Sequence, residues 1–85
     1  MDAKFTEAAE RVKRLKKRPS DGELLDLYGL FKQATTGDVS GAKPGLFDIK
    51  GRKKFESWSK LKGTPQDKAA ASYVSLVEQL AQKQG

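Results

Sequence analysis

The chain has 85 residues, a net charge of +6 and an isoelectric point near 9.7, with no cysteine and no histidine. That length holds one small domain. The missing residue types exclude disulfides, the usual zinc sets and any Cys or His nucleophile. The basic excess points to an anionic partner, whether nucleic acid, an acidic membrane surface or a phosphorylated small molecule, and does not choose among them.

The first segment, residues 3–16, repeats Phe5, Ala8, Ala9, Val12 and Leu15 at helical spacing, and the KKRP that follows is expected to stop the helix. The opening MDAKFTEAAERVKRL contains an Asp and two Glu and lacks the apolar core of a signal peptide. No run approaches the roughly 20 apolar residues of a membrane span. The expectation is a soluble protein of a reducing cytosol.

A second helix is predicted over about 21–36, where Ser20 and Glu23 form a capping box and Asp21 adds charge to the first turn. Its stripe is Leu24, Leu27, Tyr28, Phe31 and Ala34, with Leu25 beside it, and Gly37 is the stop. Residues 37–49 contain three glycines and a proline and read as a long ordered loop. Val39, Leu46, Phe47 and Ile49 are expected to pack it onto the body. A third helix over about 50–62 carries Phe55, Trp58 and Leu61, with lysines and an arginine on the remaining faces, and closes at Gly63. A fourth, capped by Thr64 with Pro65 at its first position, runs to about 83 along Ala69, Ala70, Tyr73, Val74, Val77, Leu80 and Ala81. No segment alternates like a strand, so the fold class is all-α with four helices.

Little in this sequence supports catalysis. The glycines at 37, 41, 45 and 51 match neither the dinucleotide fingerprint nor the P-loop, and the lysine of GAKPG is followed by Pro44 with no preceding strand. The carboxylates are scattered as caps and exposed i,i+4 partners. An enzyme is therefore not expected.

A binding face is better supported. In YGLFKQATTGD, residues 28–38, a helix stacks Tyr28, Phe31 and Lys32 at i, i+3 and i+4, so that an aromatic stripe finishes on an ammonium group. Lys54 opens a helix beside Phe55, where it could meet the end of the second helix, whereas Lys53, Lys60 and Lys83 read as solvated. Tyrosines such as Tyr28 and Tyr73 more commonly sit at a core edge with the hydroxyl in water. Trp58 and Phe55 read as core, and spacing does not separate a core from a pocket role for Leu24 and Leu25. Together the set suits an adenine-sized ring stacked on aromatics, phosphates met by lysines and an apolar groove alongside.

The segments FTEAAERVKRL (5–15), YGLFKQATTGD (28–38), KPGLFDIKGRKKFESWSKLKGT (43–64) and AAASYVSLVEQL (69–80) resemble the acyl-coenzyme A binding protein family over essentially the whole chain. The resemblance implies an up-down-down-up four-helix bundle, 1–85 as one domain, that takes one long-chain fatty acyl-CoA. By the same resemblance Tyr28, Lys32 and Lys54 hold the 3′-phosphate, Tyr73 and Phe31 contact the adenine, and Lys13 and Lys50 lie near the nucleotide. Leu24 and Leu25 flank the acyl chain, and Gly29 and Leu30 lie within the ligand-binding stretch. Phe5, Ala9, Val12, Leu15, Tyr73, Val74, Val77 and Leu80 would form a small core joining the first and fourth helices. Phenylalanine stands at 31 and 55 where the family often has Tyr and Trp, which keeps ring surface and removes one hydroxyl.

The implied function is a cytoplasmic, monomeric carrier and pool former for acyl-CoA, without cofactor, open to transient contact with membranes or acyl-CoA-using enzymes. The rival reading is a small basic nucleic-acid-binding module, disfavoured because the lysines spread over several helices and match no reader motif. A peripheral membrane protein anchored by its first helix ranks lower, since that helix needs its apolar face for the core.

Overall fold

Ser20 starts the helix around which the molecule is organised. In the computed structural model, which describes residues 3–83, the helices are α1 (Ala3–Val12), α2 (Asp21–Thr35), α3 (Ile49–Ser59) and α4 (Gln66–Lys83). The Ser20 hydroxyl accepts from the Glu23 N–H at 3.2 Å while the Glu23 carboxylate accepts from the Ser20 N–H at 2.8 Å. The capping box therefore forms as the spacing predicts. It holds the Glu23 carboxyl below the usual carboxylate range, with Lys83 of α4 adding to the effect.

Three boundaries differ from expectation, each for a local reason. The first helix ends at Val12, not near 16: Lys13 and Arg14 donate to the carbonyls of Glu10 and Arg11, a tighter i→i−3 pattern. Continuing it would make every i,i+3 and i,i+4 pair among Lys13, Arg14, Lys16, Lys17 and Arg18 a cation pair. The third helix loses its last turn in the same way, through Leu61 to Trp58 and Lys62 to Ser59, before Gly63 turns at φ +90°. At α4 the Ala69 N–H donates to the Pro65 carbonyl, so Pro65 holds the cap position expected for Thr64, and the helix begins at Gln66.

Residue pairs across the interfaces give the topology. Lys54 meets Tyr28, and Trp58 meets Lys32, so α2 and α3 run in the same direction. Gln66 reaches the Ala34 carbonyl and Lys83 reaches Glu23, so α4 runs opposite to α2. With α1 packed on α4, this is the up-down-down-up bundle. The long α2–α3 connection is what lets two sequential helices lie parallel. Phe5, Ala8, Leu27, Ala34, Ala69, Ala70, Tyr73, Val77 and Leu80 are buried together, with Ala9, Val12, Leu15 and Val74 packed against them. The core expected between α1 and α4 is present, and α2 contributes to it as well.

The connection itself contradicts the sequence reading. Leu46, Phe47 and Ile49 do not pack down: they are 76%, 99% and 64% exposed, and of the four only Val39 is half-buried. The Asp48 N–H donates to the Gly45 carbonyl at 3.0 Å, closing a turn with Leu46 and Phe47 at its two corners. Corner side chains project outward, and the core is already filled by the helical stripes.

A candidate ligand-binding face on α2 and α3

The helical turn at 28–32 places Tyr28, Phe31 and Lys32 on one face, as their spacing predicts. Parallel packing then brings α3 alongside. The Lys54 ammonium lies 5.4 Å from the centre of the Tyr28 ring, and the Lys32 ammonium 4.9 Å from that of Trp58. Each is a cation–π contact of about 0.5–2 kcal/mol, which positions an ammonium without neutralising it. Among the described residues neither lysine is ion-paired to a carboxylate. Two unneutralised cations therefore stand on adjoining helices.

Phe31 lies at the edge of a second group. Its ring is 5.5 Å from Phe5 and 5.9 Å from Tyr73, and Phe5 and Tyr73 are 5.1 Å apart. Phe5 and Tyr73 are buried, while Phe31 remains 37% exposed and presents ring surface beside Tyr28 and Lys32. Burial pushes the Tyr73 phenol above its ordinary value, so it is neutral at physiological pH. Tyr73 is thus a core residue first, adjoining the face through its contact with Phe31.

The other predicted residues fall in three places. Leu24 and Leu25 are half-buried on the turn of α2 before Tyr28, and Leu24 packs against the core. Lys50 is exposed one turn before Lys54 on α3, and Lys13 is exposed beyond α1, 3.7 Å from Glu10. Gly29 and Leu30 point elsewhere: Leu30 packs on the core, and Gly29 is buried against α3, where an added Cβ would lie 2.8 Å from the Ser57 carbonyl oxygen.

The second half of YGLFKQATTGD has a role that sequence reasoning missed. Gln33 is fully buried, and its amide donates to the Asp38 carboxylate at 2.9 Å and the Thr64 carbonyl at 2.8 Å. The same carboxylate accepts from the Gly63 N–H at 2.8 Å, and the Trp58 indole donates to the Gly37 carbonyl at 2.7 Å. These bonds tie the end of α2 to the α3–α4 turn and hold Trp58 under Lys32. The signal was a glutamine adjoining the buried stripe followed by Gly-Asp, but its partners lie more than 20 residues away.

The Gly63 N–H, and then Gln33, lower the Asp38 carboxyl below its ordinary 3.8. A depressed carboxyl stabilises the fold fully above its unfolded value and loses that contribution as pH falls through the native one. Asp38→Ala is accordingly expected to lower the melting temperature at neutral pH and to flatten its decline below about pH 4. Circular-dichroism melts across the acid range test this, and an acid decline as steep as in the parent would show that the carboxylate is not responsible.

A groove of about 410 Å³ between α1 and α4 shares no lining residue with this face. It sets Lys4 against Asp67 and Glu78 and does not suit an anion. Among the described residues no cluster of His, Cys, Asp or Glu could hold a metal, and no helix is long and apolar enough to cross a membrane. The arrangement describes an all-α protein whose distinctive chemistry is an open basic and aromatic face.

Comparison with known proteins agrees. The profile of the family described as "Acyl CoA binding protein" matches residues 2–77. The Acyl-CoA-binding protein homolog of Drosophila melanogaster is 54% identical over 79 residues, 93% of this chain and 92% of that protein. Acyl-CoA-binding protein homolog 1 of Caenorhabditis elegans is 51% identical over 85 residues, 100% and 99% of the two chains. The crystal structure of ACBP from Moniliophthora perniciosa superposes with a TM-score of 0.91 at 38% identity, covering 99% of this chain and 84% of that one. The chain belongs to the acyl-CoA-binding protein family.

Proposed function

We propose that this protein binds one medium- or long-chain fatty acyl-CoA ester per monomer and acts as a cytosolic carrier and pool former, performing no chemistry on its cargo. The observation that carries this reading is the pair of unneutralised lysines, Lys32 and Lys54, set against Trp58 and Tyr28 in a chain of this family. A phosphate dianion would draw both ammonium groups and the Tyr28 hydroxyl to one point. The adenine would lie on the exposed ring of Phe31 beside Tyr73, with Lys13 and Lys50 adding field around the nucleotide. Leu24 and Leu25 offer apolar surface to the acyl chain.

The balance of terms favours the ester over either of its parts. Each buried methylene contributes about 0.8 kcal/mol, so affinity should rise about fourfold per added methylene until the groove is full. Phosphate contacts act uniformly on every chain length and speed encounter at low salt. The nucleic-acid reading finds no support in the family match.

Calorimetric titration with palmitoyl-CoA, with free CoA and palmitate as controls, tests the proposal. Tight one-to-one binding of the ester with both fragments weaker by orders of magnitude is expected. No heat with the ester, or an oligonucleotide that binds and survives excess ester, would overturn it.

A further inference from the structure

Trp58 adjoins the proposed ligand face but offers a ligand no polar atom. It is 7% exposed, and its indole N–H is committed to the Gly37 carbonyl at 2.7 Å. What it presents is a ring face, and the Lys32 ammonium lies over it, 4.9 Å from the centre. The arrangement is reciprocal: Lys32 of α2 rests on a ring of α3, and Lys54 of α3 rests 5.4 Å from the centre of the Tyr28 ring on α2. The two platforms are not equivalent. Tyr28 is half-buried and carries a hydroxyl that can donate to a phosphate, whereas Trp58 is buried with its one donor spent.

An ammonium on a four-carbon stem samples many rotamers, and two cations on adjoining helices with no carboxylate between them push each other outward. Seating on an aromatic face opposes both effects and fixes the ammonium before any anion arrives. A platform does this only if it is itself immobile. The edge of Trp58 is pinned by the Gly37 carbonyl, which is aimed by the turn at the end of α2, where Gly37 takes φ +93°. Nothing lies within 4 Å of a Cβ added at Gly37, so backbone conformation, not space, calls for glycine there. The next residue locks the turn: the Asp38 carboxylate accepts from the Gly63 N–H at 2.8 Å and from the Gln33 amide at 2.9 Å. Fixed contacts thus run from the C-terminal turn of α2 through the indole to the Lys32 ammonium.

We propose that Trp58, anchored by Gly37, is the positioning residue for Lys32, holding one of the two cations of the ligand face ready for an anionic group without itself meeting the ligand. This inference rests on the carrier reading and adds an asymmetry to it. Lys32 is placed by a residue that the ligand does not touch, and Lys54 by one that it does.

The test is a double-mutant cycle between Lys32→Ala and Trp58→Leu, read by calorimetry with palmitoyl-CoA and with its 3′-dephospho analogue, which lacks the phosphate dianion. Trp58→Leu is expected to weaken palmitoyl-CoA about tenfold and the dephospho ester by less than about twofold, and to cost nothing further once Lys32 is alanine. Trp58→Phe, which keeps a ring face and leaves a smaller cavity, should recover part of the loss, and it carries the same cycle should Trp58→Leu not fold. In the ligand-free parent the Lys32 ε-methylene protons should be shifted upfield by the indole ring, and the shift should vanish in Trp58→Leu. Unchanged ester affinity would overturn the proposal. Equal losses on both esters, or an undiminished loss in the Lys32→Ala background, would overturn it too by making Trp58 a packing residue only. A parent that binds the ester while its Lys32 protons are unshifted refutes the positioning role alone, whereas a parent that binds neither ester refutes the carrier reading and this inference with it.

Discussion

Lys32→Ala should weaken palmitoyl-CoA binding by about 10- to 100-fold, the loss of one charge-assisted contact to phosphate. Tyr28→Ala should act on a similar scale, because it removes a hydroxyl and also the ring on which the Lys54 ammonium rests. Tyr28 and Lys32 are half-buried, and the one capping bond at Lys32 is made by its backbone carbonyl, which alanine retains, so the helical circular-dichroism signal should hardly change. The pattern across ligands is the sharper test. A residue that holds the head group penalises dodecanoyl-CoA, palmitoyl-CoA and free CoA by the same factor, whereas one that lines the acyl groove penalises long chains more. A loss that grows with chain length, or no loss at all, would remove these residues from the head-group site. Trp58 is the only tryptophan and lies beneath Lys32. Its fluorescence should therefore respond to ester in the parent and much less in Lys32→Ala.

Gly29→Val should destabilise the fold without touching any proposed ligand contact. The added Cβ would sit 2.8 Å from the Ser57 carbonyl oxygen and 3.0 Å from its carbon, and both are backbone atoms that move only if α3 moves. Overpacking of this kind costs about 3 kcal/mol, which for a domain of this size lowers the melting temperature by on the order of 15 °C. Gly22 in the first turn of α2 is the control, because nothing lies within 4 Å of its added Cβ. Gly22→Ala should raise the melting temperature slightly, by about 0.5–1 kcal/mol of stability. If Gly29→Val melted like the parent, the close α2–α3 approach would not be a constraint on the fold. That approach also places Lys54 beside Tyr28, so the variant's ester affinity at low temperature reports how far α3 has been displaced.

Gly29 also shows where sequence reading reaches its limit. Its neighbours in YGLFKQATTGD are legible because an α-helix converts i, i+3 and i+4 into a shared face, and Tyr28, Phe31 and Lys32 accordingly line up. A glycine in mid-helix gives no such signal: whether it is tolerated, functional or required for close packing depends on a carbonyl contributed 28 residues later. Gln33 and Asp38 are similar, since their partners Thr64 and Gly63 belong to another turn. The loop was misread for the opposite reason. Apolar residues there read as packing residues, but a β-turn between Gly45 and Asp48 sends Leu46 and Phe47 outward whatever their hydrophobicity.

Local chemistry thus determined the four helices, the cap at Ser20, the stop at Gly37 and the aromatic-lysine face, because each is written within a few turns of backbone. Tertiary structure decided the parallel pairing of α2 with α3, the resting of Lys32 on Trp58 and of Lys54 on Tyr28, the clamp around Gln33 and the outward loop tip. Those depend on which surfaces remain once the core is filled, and that is a property of the packed chain.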